Sequence, residues 1–236
     1  MSRHYFQLLP TLIICHPLKL IYLKTKKVGG TSFEVALSKY CSSECVITPI
    51  SPEDEIVRNA LKFRGPQNYL ESDRAGFSNP RSINFEFKGN FGNHSCISAV
   101  KANLSGRAFA NYKTLAIHRN PADVLISQYF YRMHSTRLDK REPFGDWYQE
   151  NKDNVFENYR IAPIRGKQAC DMILDYEALD EAIQGCALLP TDFAILFRKL
   201  RLKGRYRDQE SQDVDAFFQQ HGLDPTEPYR LLEGCV

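Results

Sequence analysis

Lys27-Val28-Gly29-Gly30-Thr31-Ser32 brings a lysine, two glycines and two hydroxyls together. The chemistry such a stretch offers is anion binding. Paired glycines let the backbone approach a ligand and turn its N–H groups toward it. Lys27 supplies a full positive charge just before them, while Thr31 and Ser32 supply hydroxyls. The lysine precedes the glycines instead of following the last one, so this is not a Walker A loop. Its plainer reading is a Gly-Gly turn beside a solvated lysine, since Lys24 and Lys26 are close by. A second candidate is Arg119, which is followed by Asn120-Pro121 and, eight positions on, by Ser127. Its plainer reading is a structural ion pair.

The elements that must position these residues can be read around them. An apolar run at 18–23 predicts a strand into the glycine loop, and residues 33–40 predict a helix out of it. Thr31-Ser32-Phe33-Glu34 fits a capping box with Thr31 at the cap, and Phe33, Ala36, Leu37 and Tyr40 then share one stripe. A helix start would add unpaired N–H groups and a positive dipole end to the anion site. Ser51-Pro52-Glu53-Asp54 predicts another helix start, with Ile56, Val57, Ala60 and Leu61 as its buried face. Residues 114–118 predict a short buried strand ending at Arg119. Asn120 caps the following helix, Pro121 opens it, and Ser127 faces outward about two turns in. Ligands of open α/β sheets bind at that end of the strands. Further helices are expected at 98–104, 176–183, 193–200 and 213–221, with a strand at 172–174.

The whole chain sets bounds. Its 236 residues suffice for one sizeable core, so a single domain over 1–236 is expected. A net charge of +3 is too small to argue for nucleic acid. The seven cysteines are an odd number without a regular framework, which fits a reducing compartment and a cytoplasmic protein. Cys41 and Cys45 lie four apart, but without a matching pair or histidine spacing they read as ordinary thiols. Residues 6–15 are apolar yet too short to span a bilayer, so they read as a strand or packing segment, with no stable membrane insertion. Residues 64–93 read as long loops with a strand at 83–87. Residues 134–168, with Trp147, Tyr148, Phe156 and Tyr159, read as a lid or substrate wall. Residues 198–207 carry six basic side chains, which could be a solvated face or a patch for an acidic polymer.

The order of these motifs resembles the sulfotransferases that use 3′-phosphoadenosine 5′-phosphosulfate, most closely the carbohydrate-type and small bacterial members. Their 5′-phosphosulfate loop reads Pro-Lys-Thr-Gly-Gly-Thr-Ser; here Lys26 replaces the proline and Val28 the threonine. Their 3′-phosphate site pairs a strand-end arginine with a serine eight residues later, as Arg119 and Ser127 do. Asp175-Tyr176-Glu177-Ala178-Leu179 is similar to their Tyr-Glu-Asp-Leu stretch, and Lys203-Gly204-Arg205 to the loop that closes over the nucleotide. Asn93-His94 resembles a Gly-His segment whose histidine is the general base. The resemblance spans residues 18–210.

It implies an α/β fold of the three-layer, P-loop-like kind, with a central, mostly parallel sheet flanked by helices. It implies a donor co-substrate but no metal. Lys27 would meet the leaving oxygen, Gly29, Gly30, Thr31 and Ser32 the 5′-phosphate, and Arg119 and Ser127 the 3′-phosphate. Lys203, Gly204 and Arg205 would contact the nucleotide, and His94, or one of its rivals Glu86, Lys88 and His118, would take the acceptor's proton. The acceptor would be a hydroxyl of a glycan, lipid or small metabolite. Two other readings stay open. A P-loop-like kinase or hydrolase would need a magnesium-binding carboxylate at a strand end. A non-catalytic binder of nucleotide or sulfated polymer would need neither Lys27 nor a base.

Overall fold

The computed structural model describes residues 12–70, 91, 95–104, 106–137, 140–166, 169–200 and 210–233. Strands β1 (Leu12–Cys15) and β2 (Leu20–Leu23) form an antiparallel hairpin. Its turn closes through the Lys19 N–H to the His16 carbonyl at 3.1 Å, with Lys19 in the left-handed region at φ 48°. β3 (Val46–Ile47) pairs antiparallel with β1. β4 (Lys113–His118) and β5 (Met172–Asp175) complete the sheet, β4 running parallel to both β2 and β5. The order is β3-β1-β2-β4-β5.

The sheet is therefore mixed. Two of its four pairings are antiparallel, which corrects the expectation of a mostly parallel, P-loop-like sheet. The physical reason lies in burial. All four residues of β1 and all four of β2 are buried, so neither strand shows the inside–outside alternation that marks a half-solvated antiparallel partner. The hairpin turn at 16–19 also lacks the Asn-Gly or Asp-Gly pair that announces such turns.

Eleven helices surround the sheet among the described residues: α1 (Gly30–Ser38), α2 (Pro52–Ala60), α3 (Ile97–Asn103), α4 (Gly106–Ala110), α5 (Pro121–Ser135), α6 (Phe144–Asn151), α7 (Val155–Ile161), α8 (Leu179–Gly185), α9 (Phe193–Lys199), α10 (Val214–Gln220) and α11 (Glu227–Glu233). On one face Ile13, Tyr22, Leu115 and Ile117 pack with Phe33 of α1, Ile183 of α8 and Phe193 of α9. On the other, Leu12, Ile14, Ile21 and Ala116 pack with Ile97 and Val100 of α3 and Ile161 of α7. A third cluster is wholly helical: Leu125 and Ile126 of α5, Phe144, Trp147 and Tyr148 of α6, Phe217 and Phe218 of α10, and Leu232 of α11. Trp147 and Tyr148, expected to line a lid or substrate wall, are core residues of that cluster.

Helix ends follow local chemistry, with two differences. Ser51 caps α2 by accepting the Asp54 N–H, and Pro52 opens the helix, as the sequence implies. The face α2 turns inward, however, carries Asp54 and Arg58, while Ile56 is 70% exposed. Arg58 Nη1 donates to Glu55 Oε1 at 3.0 Å, while its Nε and Nη2 have no hydrogen-bond partner among the described residues. Helix α1 begins earlier than the capping box predicts. Its cap is Gly29, at φ 69°, with no side-chain capping bond. Thr31 and Glu34 instead bind Lys24, whose Nζ lies 3.2 Å from Thr31 Oγ1 and 2.5 Å from Glu34 Oε2. Among the described residues no helix is long and apolar enough to cross a membrane.

Candidate functional site

The parallel half of the sheet builds the site. Because β2, β4 and β5 run side by side in one direction, their carboxyl ends deliver three loops to one edge: 24–29 before α1, 119–120 before α5, and 176–178 before α8. Arg119 joins all three. Its Nη1 donates to the Lys27 carbonyl at 2.8 Å, and its Nε donates to Asp123 Oδ2 at 2.5 Å. Its guanidinium carbon lies 4.4 Å from the centre of the Tyr176 ring. Nη2 has no acceptor among the described residues, so it retains donors for an anion.

Lys27 has an unusual backbone. It holds φ 62°, a region a side-chain-bearing residue enters at a cost of about 1–2 kcal/mol. Arg119 holds its carbonyl in place, and the chain then turns again at Gly29. The Lys27 Nζ lies 4.0 Å from the centre of the Tyr131 ring. The three lysines of this loop have separate engagements: Lys24 pairs with buried Glu34, Lys26 with Glu157 at 2.6 Å, and Lys27 reaches the face of Tyr131.

Gly30 is required by packing. A Cβ there would come within 2.8 Å of Lys24 Cγ and 3.0 Å of the Tyr22 hydroxyl. At the helix start the Ser32 N–H already donates to the Gly29 carbonyl at 3.1 Å. The N–H groups of Gly30 and Thr31, in the first turn, have no carbonyl of the helix to reach. Since Thr31 Oγ1 accepts from Lys24, its own proton remains to be donated.

The loop is clamped from behind by residues that the sequence reading missed. Asn158 of α7 accepts the Lys26 N–H at 2.6 Å and donates to the Lys26 carbonyl at 3.1 Å. The Thr25 hydroxyl donates to the Ile117 carbonyl of β4. Asp123 and Tyr131 were legible in principle. With Arg119 and Ser127 they recur every four residues, so one stripe along the start of α5 faces the loop. Ser127 is half-buried between them. Asn158 carries no such signal, because its partner is a backbone 132 residues away.

At the third loop, the Glu177 carboxylate accepts the Asn120 N–H at 2.8 Å and so ties β5's end to the start of α5. Burial, followed by the neighbouring Asp175 carboxylate, pushes its pKa up. His118, a rival for the general base, is a core residue. Its Nε2 lies 2.9 Å from the Ala162 carbonyl and its ring packs edge-on against Tyr159. Burial lowers its pKa, so it is neutral at pH 7 and Nε2–H is the donor. His94, Glu86 and Lys88 lie outside the described residues, as do Lys203, Gly204 and Arg205. The structure thus brings Lys27, Gly29, Gly30, Thr31, Ser32 and Arg119 together, with Ser127 on the adjoining stripe. No family model matches this chain, and no curated protein matches it.

Proposed function

We propose that this protein is a sulfotransferase that moves the sulfuryl group of 3′-phosphoadenosine 5′-phosphosulfate to a hydroxyl of a glycan, lipid or small metabolite. The observation that carries the reading is the bond from Arg119 to the Lys27 carbonyl, which makes one site of two motifs 92 residues apart. A lysine, a pair of first-turn N–H groups and a guanidinium on adjoining loops suit a ligand with two separate phosphate groups.

Each residue has a task in this scheme. Gly30 and Thr31 hold the 5′-phosphate through their N–H groups, and Thr31 adds its hydroxyl. Arg119 binds the 3′-phosphate through Nη2 while its other donors keep it oriented, and Ser127 contributes a hydroxyl. Lys27 leaves the Tyr131 ring to meet the bridging oxygen, where negative charge grows as the sulfur–oxygen bond breaks. The acceptor hydroxyl loses its proton to a base, for which His94 remains our candidate. Lys203, Gly204 and Arg205 close over the nucleotide. The scheme needs no metal at this site and no nucleic-acid partner. We place the protein in the reducing cytoplasm, the compartment that keeps thiols such as those of Cys15, Cys41 and Cys45 reduced.

The test is calorimetric binding of 3′-phosphoadenosine 5′-phosphate, with ATP as control and Arg119→Ala alongside. The expected result is tight binding that prefers the 3′-phosphate and is lost in the variant. A preference for ATP with magnesium would sink the proposal.

A further inference from the structure

A second site lies away from the glycine loop. Cys15 ends β1, Cys41 follows α1, and Cys45 immediately precedes β3. Their Sγ atoms all lie within 4.8 Å of one another, and all three residues are buried. Three features set this trio apart from sulfurs packed as small hydrophobes. Cys15 on β1 and the loop that carries both Cys41 and Cys45 bring three sulfurs to one point. The Cys45 Sγ accepts two backbone N–H groups, from His16 at 3.3 Å and Ser42 at 3.2 Å, and the Ser42 hydroxyl stands 3.4 Å away. Hydrogen bonds of this kind are strongest to an anionic acceptor. Among the described residues no lysine or arginine is bonded to these sulfurs to balance such a charge.

From this geometry we propose that Cys15, Cys41 and Cys45 form a binding site for one thiophilic d10 cation, Cu+ or Zn2+. Thiolates select those ions over Mg2+ or Ca2+. A metal–sulfur bond of about 2.3 Å puts ligand sulfurs about 3.8–4 Å apart, compatible with this spacing after small side-chain rotations. On binding, three S–H bonds lose their protons to solvent and three metal–sulfur bonds form, with no change of oxidation state. The site then carries one negative charge with Zn2+ or two with Cu+, and the N–H groups of His16 and Ser42 face that charge. Among the described residues no carboxylate or imidazole atom joins the set. Three-coordinate Cu+ is satisfied by that donor number, whereas Zn2+ takes a fourth donor. The ion would fasten the end of β1 and the start of β3 to the helix that leaves the glycine loop, so its role is to brace that helix. This holds whether or not the protein transfers sulfate.

The experiment uses the full chain purified under anaerobic, reducing conditions and stripped of metal. It is titrated separately with Cu+ and Zn2+ against chromophoric chelators, and with Co2+ to read thiolate-to-metal charge-transfer absorption. The expected result is one equivalent of Cu+ or Zn2+, a Co2+ charge-transfer band saturating at one equivalent, and affinity that rises with pH as thiols ionise. Cys41→Ser and Cys45→Ser should each weaken binding at least about 100-fold, more than loss of an outer partner costs. Cys170→Ser, which removes a buried thiol elsewhere, should bind as the parent does. Bound ion should also raise the melting midpoint. Failure of the stripped parent to take up any of the three ions, or equal uptake by Cys45→Ser, would overturn the proposal. So would a disulfide within the trio in protein kept reduced. If the serine variants do not fold, the parent's stoichiometry and Co2+ spectrum decide alone. Sulfuryl-transfer assays on the stripped protein keep this question apart from the proposed activity.

Discussion

Lys27 and Arg119 touch the same backbone, yet substitution should separate them. Lys27→Ala removes a side chain whose Nζ lies over the Tyr131 ring. If the proposed transfer holds, it is expected to cut that transfer at least about 100-fold while leaving 3′-phosphoadenosine 5′-phosphate binding within several-fold, since a charge that acts on the leaving oxygen acts where the transition state differs from the ground state. Single-turnover transfer of labelled sulfate beside calorimetry checks the split. Arg119→Lys keeps the charge but loses the fork that bonds Asp123 and the Lys27 carbonyl. It should weaken nucleotide binding at least about tenfold and slow turnover too, since the Lys27 backbone loses its tether. Equal effects of both substitutions on binding would argue that Lys27 is a binding residue only. Gly30→Ala is expected to lower stability by about 1–3 kcal/mol, because its Cβ meets Lys24 and Tyr22. Gly29→Ala costs about 1 kcal/mol through φ 69° alone, its nearest neighbour being 3.9 Å away. Urea midpoints of the two variants distinguish clash from conformation. The Gly-Gly pair was legible in the sequence as a loop, but its division of labour was not. Which glycine turns the chain and which admits a neighbour depends on Tyr22 and Lys24, and side-chain packing leaves no mark in a short motif.

At the scale of elements, the helices at 98–104, 193–200 and 213–221 and the strand at 172–174 were legible within a residue, whereas α1 and α8 begin three residues from where the sequence implied. β4 ends at His118 and α5 opens at Pro121 under Asn120, as the sequence implies. The direction of β1 was not legible, because a strand buried on both faces reads the same either way. Nor was the inward face of α2, where Asp54 and Arg58 share the i, i+4 spacing that the apolar residues also offer. Charge also joins elements. Asp171, just before β5, accepts the Thr114 N–H at 2.9 Å and the Thr114 hydroxyl at 2.7 Å, and pairs with Lys113. Burial works against its charge, but Thr114 and then Lys113 outweigh that and hold its pKa below the ordinary 3.8. A carboxylate depressed in the folded state stabilises above its unfolded pKa, and that stability fades as pH falls through the folded value. Asp171→Asn should therefore lose stability near neutrality and show a flatter acid limb below pH 3.8 than the parent, as read by urea midpoints across that range. An unchanged acid limb would remove Asp171 from the account.

The whole molecule combines a sheet-centred core with a helical one. Trp147 is the sole tryptophan and is buried in the helical cluster, so its fluorescence reports that part alone. The two parts are joined by α5, which carries Leu125 in the helical core and the Arg119 stripe at its start, and by α7, which places Ile161 against the sheet and Val155 in the helical core. Cooperative unfolding is expected. Trp147 fluorescence and far-ultraviolet circular dichroism should give coincident melting curves, and both should move up together with saturating nucleotide. Separate midpoints would mean that the helical cluster melts independently. The helical core was the least legible part of the chain. Trp147 and Tyr148 have the composition of a binding wall; α5 and the distant Phe217, Phe218 and Leu232, about seventy or more residues later, make them interior.

The Asn158 clamp bears on how the chain is made. A ribosome delivers Lys26 first and Asn158 132 residues later. At about 5–20 residues per second, that gap is on the order of ten seconds. Throughout it the nascent glycine loop has neither Asn158 nor Tyr176 beside it, and until β4 emerges the β1–β2 hairpin has no parallel neighbour. The arrangement around the glycine loop is consequently a late product of synthesis. It takes shape only when the second half of the polypeptide folds back onto a beginning that has been waiting for it.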